Sequence, residues 1–141
     1  MRVRTRAREL ALQFLYMLDV QGDAYRDALD AFLDDELDGK PGADEAKAYA
    51  RKLVDGTMAH RPAVDLLLHD AAKNWDLSRM AAIDRNVLRL GCYEMLHEPD
   101  VPTKVAINEA IELGKRYSTE QSGAFINGIL DRIRKDRGLK V

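Results

Sequence analysis

The sequence predicts an all-α protein. Three observations carry that prediction. Apolar residues recur at helical spacing through nearly the whole chain, no segment alternates with period two over a useful length, and four prolines with nine glycines are too few for a turn-rich β-sandwich. About seven helices in two packed helical subdomains, residues 1–75 and 76–141, fit the length of 141 residues.

Each element follows from local pattern. Val3, Ala7, Leu10, Ala11, Phe14 and Leu18 form one stripe of a first helix, and Gly22 stands where a C-terminal cap is needed. Ala28, Leu29, Phe32 and Leu33 mark a second helix over 24–37, closed by Asp38-Gly39-Lys40-Pro41-Gly42, the clearest loop in the chain. Asp44 is placed to cap a third through Met58, with Ala46, Tyr49, Ala50, Leu53 and Val54 inward. Pro62 suits the first turn of a fourth, ending near Trp75. Asp76 or Ser78 caps a fifth, in which Met80, Ile83, Val87 and Leu90 share a face with Tyr93 or Glu94. Glu98-Pro99-Asp100-Val101-Pro102 breaks the chain before a sixth helix over 103–117, and a seventh covers 122–137. Ala106, Ala110 and Gly114 give the sixth a narrow ridge for close packing, and Asn127 and Gly128 are expected on an inward part of the seventh.

Composition excludes several classes. A hydrophobic fraction of 46% supports a folded core and rules out wholesale disorder. Cys92 has no disulfide partner and reads as a small buried apolar residue, and His60, His69 and His97 are too dispersed for a metal motif. Apolar runs fall far short of a membrane span, and the Arg-rich start lacks the apolar core of a signal peptide, so a cytoplasmic protein is expected. There is no phosphate-binding glycine loop or nucleophile elbow. Asn108, Glu109 and Glu112 are explained as a polar helix face, so no enzyme, cofactor or metal is expected.

A net charge of −2 hides an uneven distribution. Arg2, Arg4, Arg6 and Arg8 stand without an acid among the first eight residues, and the last ten are again basic. Between them, residues 19–38 hold eight acids against Arg26 alone, a pattern read as a solvated face. Guanidinium groups pair well with phosphate, so the amino-terminal arginines are either a nucleic-acid contact or a solubilising terminus. At helical spacing Leu12 and Tyr16 fall opposite the apolar stripe. They form a stacking platform or protein interface there, unless another helix covers that face.

Two blocks are more specific. Val101-Pro102-Thr103-Lys104-Val105-Ala106-Ile107-Asn108-Glu109-Ala110-Ile111-Glu112-Leu113 and Phe125-Ile126-Asn127-Gly128-Ile129-Leu130-Asp131 closely resemble the NusB family. So do Arg6-Ala7-Arg8-Glu9 with Gln13 and Leu15-Tyr16, and Val87-Leu88-Arg89 with Tyr93-Glu94, in the right order along nearly the whole chain. The resemblance implies an all-α antitermination factor that binds boxA RNA of ribosomal leader transcripts with the NusE-type ribosomal protein. The pair joins the RNA polymerase antitermination complex. Position by position, it implies RNA contacts at Arg4, Arg6, Arg8 and Tyr16, at Asp84 and Arg85, and at Gln121, Ser122 and Phe125. Leu12 and Tyr16 are assigned to the protein partner, and a monomer is favoured over a homodimer. Thr5 interrupts a basic run, and Gly123-Ala124 replaces bulkier or basic residues, which implies weaker RNA affinity without the partner. The same domain also occurs in ribosomal RNA cytosine methyltransferases, but the 141 residues hold no Gly-rich cofactor fold or catalytic-cysteine region.

Overall fold

A computed structural model describes residues 2–73 and 75–140. Among them are six α-helices and no strand: α1 (Val3–Gln21), α2 (Leu29–Leu37), α3 (Ala43–Ala71), α4 (Ala82–His97), α5 (Thr103–Tyr117) and α6 (Glu120–Asp136). Short 3-10 helices cover Asp23–Ala28 and Leu77–Arg79. The all-α expectation holds, with one change in the count. The expected third and fourth helices are a single α3 that runs through Pro62. Proline lacks the N–H that would reach the Met58 carbonyl, a loss that local sequence reads as a break and that α3 tolerates. That helix ends at Ala71, short of the expected end near Trp75, and Lys73 beyond it takes a left-handed φ of +44°; residue 74 lies outside the described residues.

The chain divides into two compact units, Met1–Asp55 and Gly56–Val141, with the division inside α3. In the first unit, Gly22 ends α1 at φ +97°, a conformation that favours glycine, and its N–H donates to the Leu18 carbonyl at 2.8 Å. The turn that follows brings Tyr25 against Phe14, while Phe32 of α2 meets the same ring at 5.5 Å. The acidic stretch is not simply solvated. Asp34 and Asp38 both bind Lys47, raising its pKa chiefly through the Asp38 hydrogen bond, and Asp30 pairs with Arg51. Such exposed pairs add little stability each, but they keep the acids from repelling one another.

In the second unit α4, α5 and α6 pack on one another around Val87, Leu90, Ala106, Ala110, Leu113, Ile126 and Leu130. At Gly114 α5 and α6 approach closely, because a Cβ there would run into Ile126 Cδ1. Asn127 and Gly128, expected inward, are instead exposed, and nothing lies within 4 Å of a Cβ built on Gly128. Ile126 and Ile129 take the buried face, and the two residues between them turn away from it. Thr119 caps α6, accepting from the Ser122 N–H at 3.2 Å while its own N–H donates to Ser122 Oγ. Arg89, 6% exposed, grips Asp65 with two hydrogen bonds of 2.8 and 3.1 Å. Cys92 is buried as expected, and desolvation pushes its thiol up to about 12. No helix among the described residues is long and apolar enough to cross a membrane.

Candidate nucleic-acid interface

The residues expected to act fall into two groups, one in each unit. The first group is at the start of α1. Arg4 lies over the Tyr49 ring, its Cζ 4.4 Å from the centroid, and Arg8 approaches the same ring at 5.7 Å. Arg6 points to acids instead, donating to Glu9 Oε1 and Glu36 Oε2, both at 3.2 Å. Tyr16 is 38% exposed on the same helix.

Two expectations need correction. Leu12 is fully buried, so it does not project from a polar face and offers no surface to a partner. Arg8 is 4% exposed, so it is a desolvated cation within the fold rather than an open phosphate contact. The cause is the same in both cases. Glu9, Leu12 and Arg8 lie outside the apolar stripe, yet α1 is covered on both faces from Ala7 to Leu12. One-sided periodicity does not reveal that covering.

The second group forms a cleft of about 240 Å³, whose lining includes Trp75, Arg79, Met80, Asp84, Gln121 and Phe125. Trp75 and Phe125 make a tilted pair with centroids 5.9 Å apart, and Trp75 is 52% exposed despite its size. Asp84 Oδ1 is buried without a hydrogen-bond partner among the described residues. Arg85 donates to the Met80 carbonyl at 3.0 Å and so ties the start of α4 to the residue that ends the 3-10 turn. Asp76 holds that turn by accepting from the Ser78 N–H, which lowers its own pKa. Ser122 also borders the cleft, but it is 5% exposed and donates to Ser118 Oγ at 3.0 Å, so it shapes the wall rather than offering a free hydroxyl. Gln121 beside it is exposed.

Two aromatic faces and an exposed arginine border one opening, chemistry that suits an unstacked nucleotide, while Asp84 Oδ1 is buried in its wall. Aromatic faces of this kind offer stacking, and a guanidinium pairs well with phosphate. Trp75, Arg79 and Tyr49 were not singled out from sequence as parts of either group. The lone tryptophan next to a turn was the one available signal. Among the described residues no cluster of three or more His, Cys, Asp or Glu could hold a metal.

The NusB family model matches residues 5–135. The chain belongs to the NusB family. It is 52% identical over 130 residues to the transcription antitermination protein NusB of Anaeromyxobacter sp. (strain Fw109-5), covering 92% of this chain and 88% of that protein. The solved structure of T. maritima NusB superposes with a TM-score of 0.82 at 40% identity, covering 94% of this chain and 91% of that one. A crystal structure of the antitermination factors NusB and NusE in complex with dsRNA superposes with a TM-score of 0.84 at 28% identity, covering 96% and 98%. The NusB family is one of transcription antitermination proteins, not of enzymes.

Proposed function

We propose that this chain is a transcription antitermination factor that binds boxA-type RNA of ribosomal leader transcripts together with a NusE-type ribosomal protein, within the cytoplasmic RNA polymerase antitermination complex, and suppresses premature termination. The observation that carries this reading is its likeness, over 96% of the chain, to the NusB protein that was crystallised with NusE and dsRNA. In the first unit Arg4 and Arg6 meet phosphate, and Tyr16 offers its exposed ring to RNA or to the protein partner. Arg8 acts from beneath, sharing the Tyr49 ring with Arg4. In the second unit Phe125 stacks on a base, with Asp84, Arg85, Gln121 and Ser122 around it and Trp75 and Arg79 completing the cleft.

Binding of RNA and partner is cooperative in this reading, and linkage requires each to tighten the other by the same factor. Titration calorimetry with boxA-type RNA, with and without the NusE-type protein, tests it. Tighter RNA binding with the partner, matched by tighter partner binding with RNA, is expected. A chain that binds the partner but shows no salt-dependent RNA binding in its presence is a protein-interaction module instead.

A further inference from the structure

A second cleft, of about 340 Å³, lies in the first unit between the start of α1 and the loop that joins α2 to α3. Val3, Leu37, Pro41 and Ala46 make its apolar part, and Arg6 and Lys40 supply cations. The loop is held firmly. The Lys40 N–H donates to the Leu37 carbonyl at 3.0 Å, and the Ala43 N–H to the Lys40 carbonyl at 3.2 Å. Gly42 sits at φ +72°, where a Cβ would come 2.8 Å from Val3 Cγ2, so the absence of a side chain lets the loop close onto α1.

The electrostatics favour an anion. Lys40 is exposed and has no acidic partner among the described residues, whereas Lys47 nearby in sequence is fully engaged. Arg6 spends one donor on Glu9 and one on Glu36, leaving others of its five N–H groups for a ligand. The first residue of α1 and the first turn of α3 both line the cleft, and helix N-termini carry positive partial charge. Asp44 and Glu45 in that turn of α3 offset this, and Glu9 and Glu36 offset the charge of Arg6, so Lys40 is the cation left without an acidic partner among the described residues.

We propose that this cleft is an additional RNA subsite, holding one phosphate between Arg6 and Lys40 with its ribose against Val3 and Pro41. The proposal rests on the RNA-binding reading above and adds Lys40 and the loop to it. A phosphodiester fits better than a peptide carboxylate because each nucleotide joins a charged phosphate to a flat, weakly polar sugar face, matching cations set beside an apolar wall.

The test uses the full chain with its NusE-type partner and a fluorescently labelled boxA-type RNA, followed by anisotropy across a salt series. Lys40→Gln changes one exposed loop side chain, and thermal melting verifies that the fold is kept. Loss of one phosphate contact should flatten the slope of log K against log[salt] by about 0.7. Lys40→Arg should restore the wild-type slope. Unchanged affinity and slope in Lys40→Gln, while Phe125→Ala weakens binding, would overturn the subsite and leave the RNA-binding reading standing. Failure of the wild-type complex to bind RNA at all would remove both. Weaker binding of the protein partner without any change in RNA slope would assign the cleft to a protein carboxylate and overturn the proposal.

Discussion

Arg4 and Tyr49 form a cation–π pair, guanidinium carbon 4.4 Å above the ring, and the buried Arg8 approaches the same ring at 5.7 Å. Two like charges around one aromatic ring repel unless the ring quadrupole and other partners offset them. Tyr49 is itself 5% exposed, so the ring that organises the amino-terminal arginines is a core residue of α3. The basic character of the α1 terminus therefore depends on a side chain some forty positions away, which no local charge count reveals.

Tyr49→Ala should consequently lower stability by about 3–5 kcal/mol, as for other large aromatic deletions in cores. Tyr49→Phe keeps the ring and should lose no more than about 1.5 kcal/mol, the net worth of a hydrogen bond. Urea denaturation of both variants checks this. Equal stability of the two would mean that the ring does not hold the arginines.

Two helical glycines should respond in opposite senses. A Cβ on Gly56 would run into the Tyr93 ring, whose hydroxyl donates to Glu98 Oε2 at 2.5 Å and which therefore has little freedom to retreat. Gly56→Ala should cost about 1–3 kcal/mol in overpacking, more than the ~1 kcal/mol that alanine gains in helix propensity. Gly128 faces open space, so Gly128→Ala should stabilise by about 0.5–1 kcal/mol. Denaturation midpoints that move the same way in both would contradict this assignment of close contact.

These glycines also mark how far the sequence was legible. The boundaries of α5, residues 103–117, follow directly from its amphipathic pattern and from Pro102, and Ala106, Ala110 and Gly114 of its expected narrow ridge are all buried. Gly128 was misplaced because flanking isoleucines say which face is buried but not where a third residue points. Pro62 was misread because a proline in a first turn and one inside a long helix leave the same trace over a short window. Leu12 and Arg8 were misjudged because covering of both faces of α1 is a tertiary property. In the second unit, the cleft joins Trp75 to Phe125 across fifty positions, and only the fold places them together.

The stacked imidazoles of His60 and His97, 3.8 Å apart, should make stability sensitive to acid. Desolvation is the main cause that lowers the His97 pKa below 6.5, with His60 and Arg137 adding to it and Glu98 opposing. Above pH 6.5 His97 is neutral in both folded and unfolded chains, so its contribution is complete there. As the pH falls below 6.5 the unfolded chain takes up the proton first, and stability declines until the folded pKa is passed. Melting temperature should therefore fall between pH 7 and 5, and His97→Gln should make that fall shallower. A variant that melts with the wild-type pH profile would show that the stacked pair does not sense the proton.

The aromatic cleft of the second unit should separate stacking from charge. Phe125→Ala and Trp75→Ala each remove a ring face from the opening, so each should weaken RNA binding by about 1–3 kcal/mol if a base stacks there. Neither ring carries charge, so the salt slope should stay at the wild-type value. Arg79→Gln should act the other way, flattening the slope by about 0.7 for one lost phosphate contact on a single strand. Trp75 is half exposed, so its removal leaves little buried void, whereas Phe125→Ala needs a melting control. Asp84→Asn supplies the remaining distinction. It removes a negative charge from the cleft wall and keeps the shape of the side chain, so RNA affinity should rise while the slope changes by less than one contact. Should Phe125→Ala and Trp75→Ala fold normally and bind boxA-type RNA with wild-type affinity, the cleft holds no base, and RNA recognition falls to the arginines of α1.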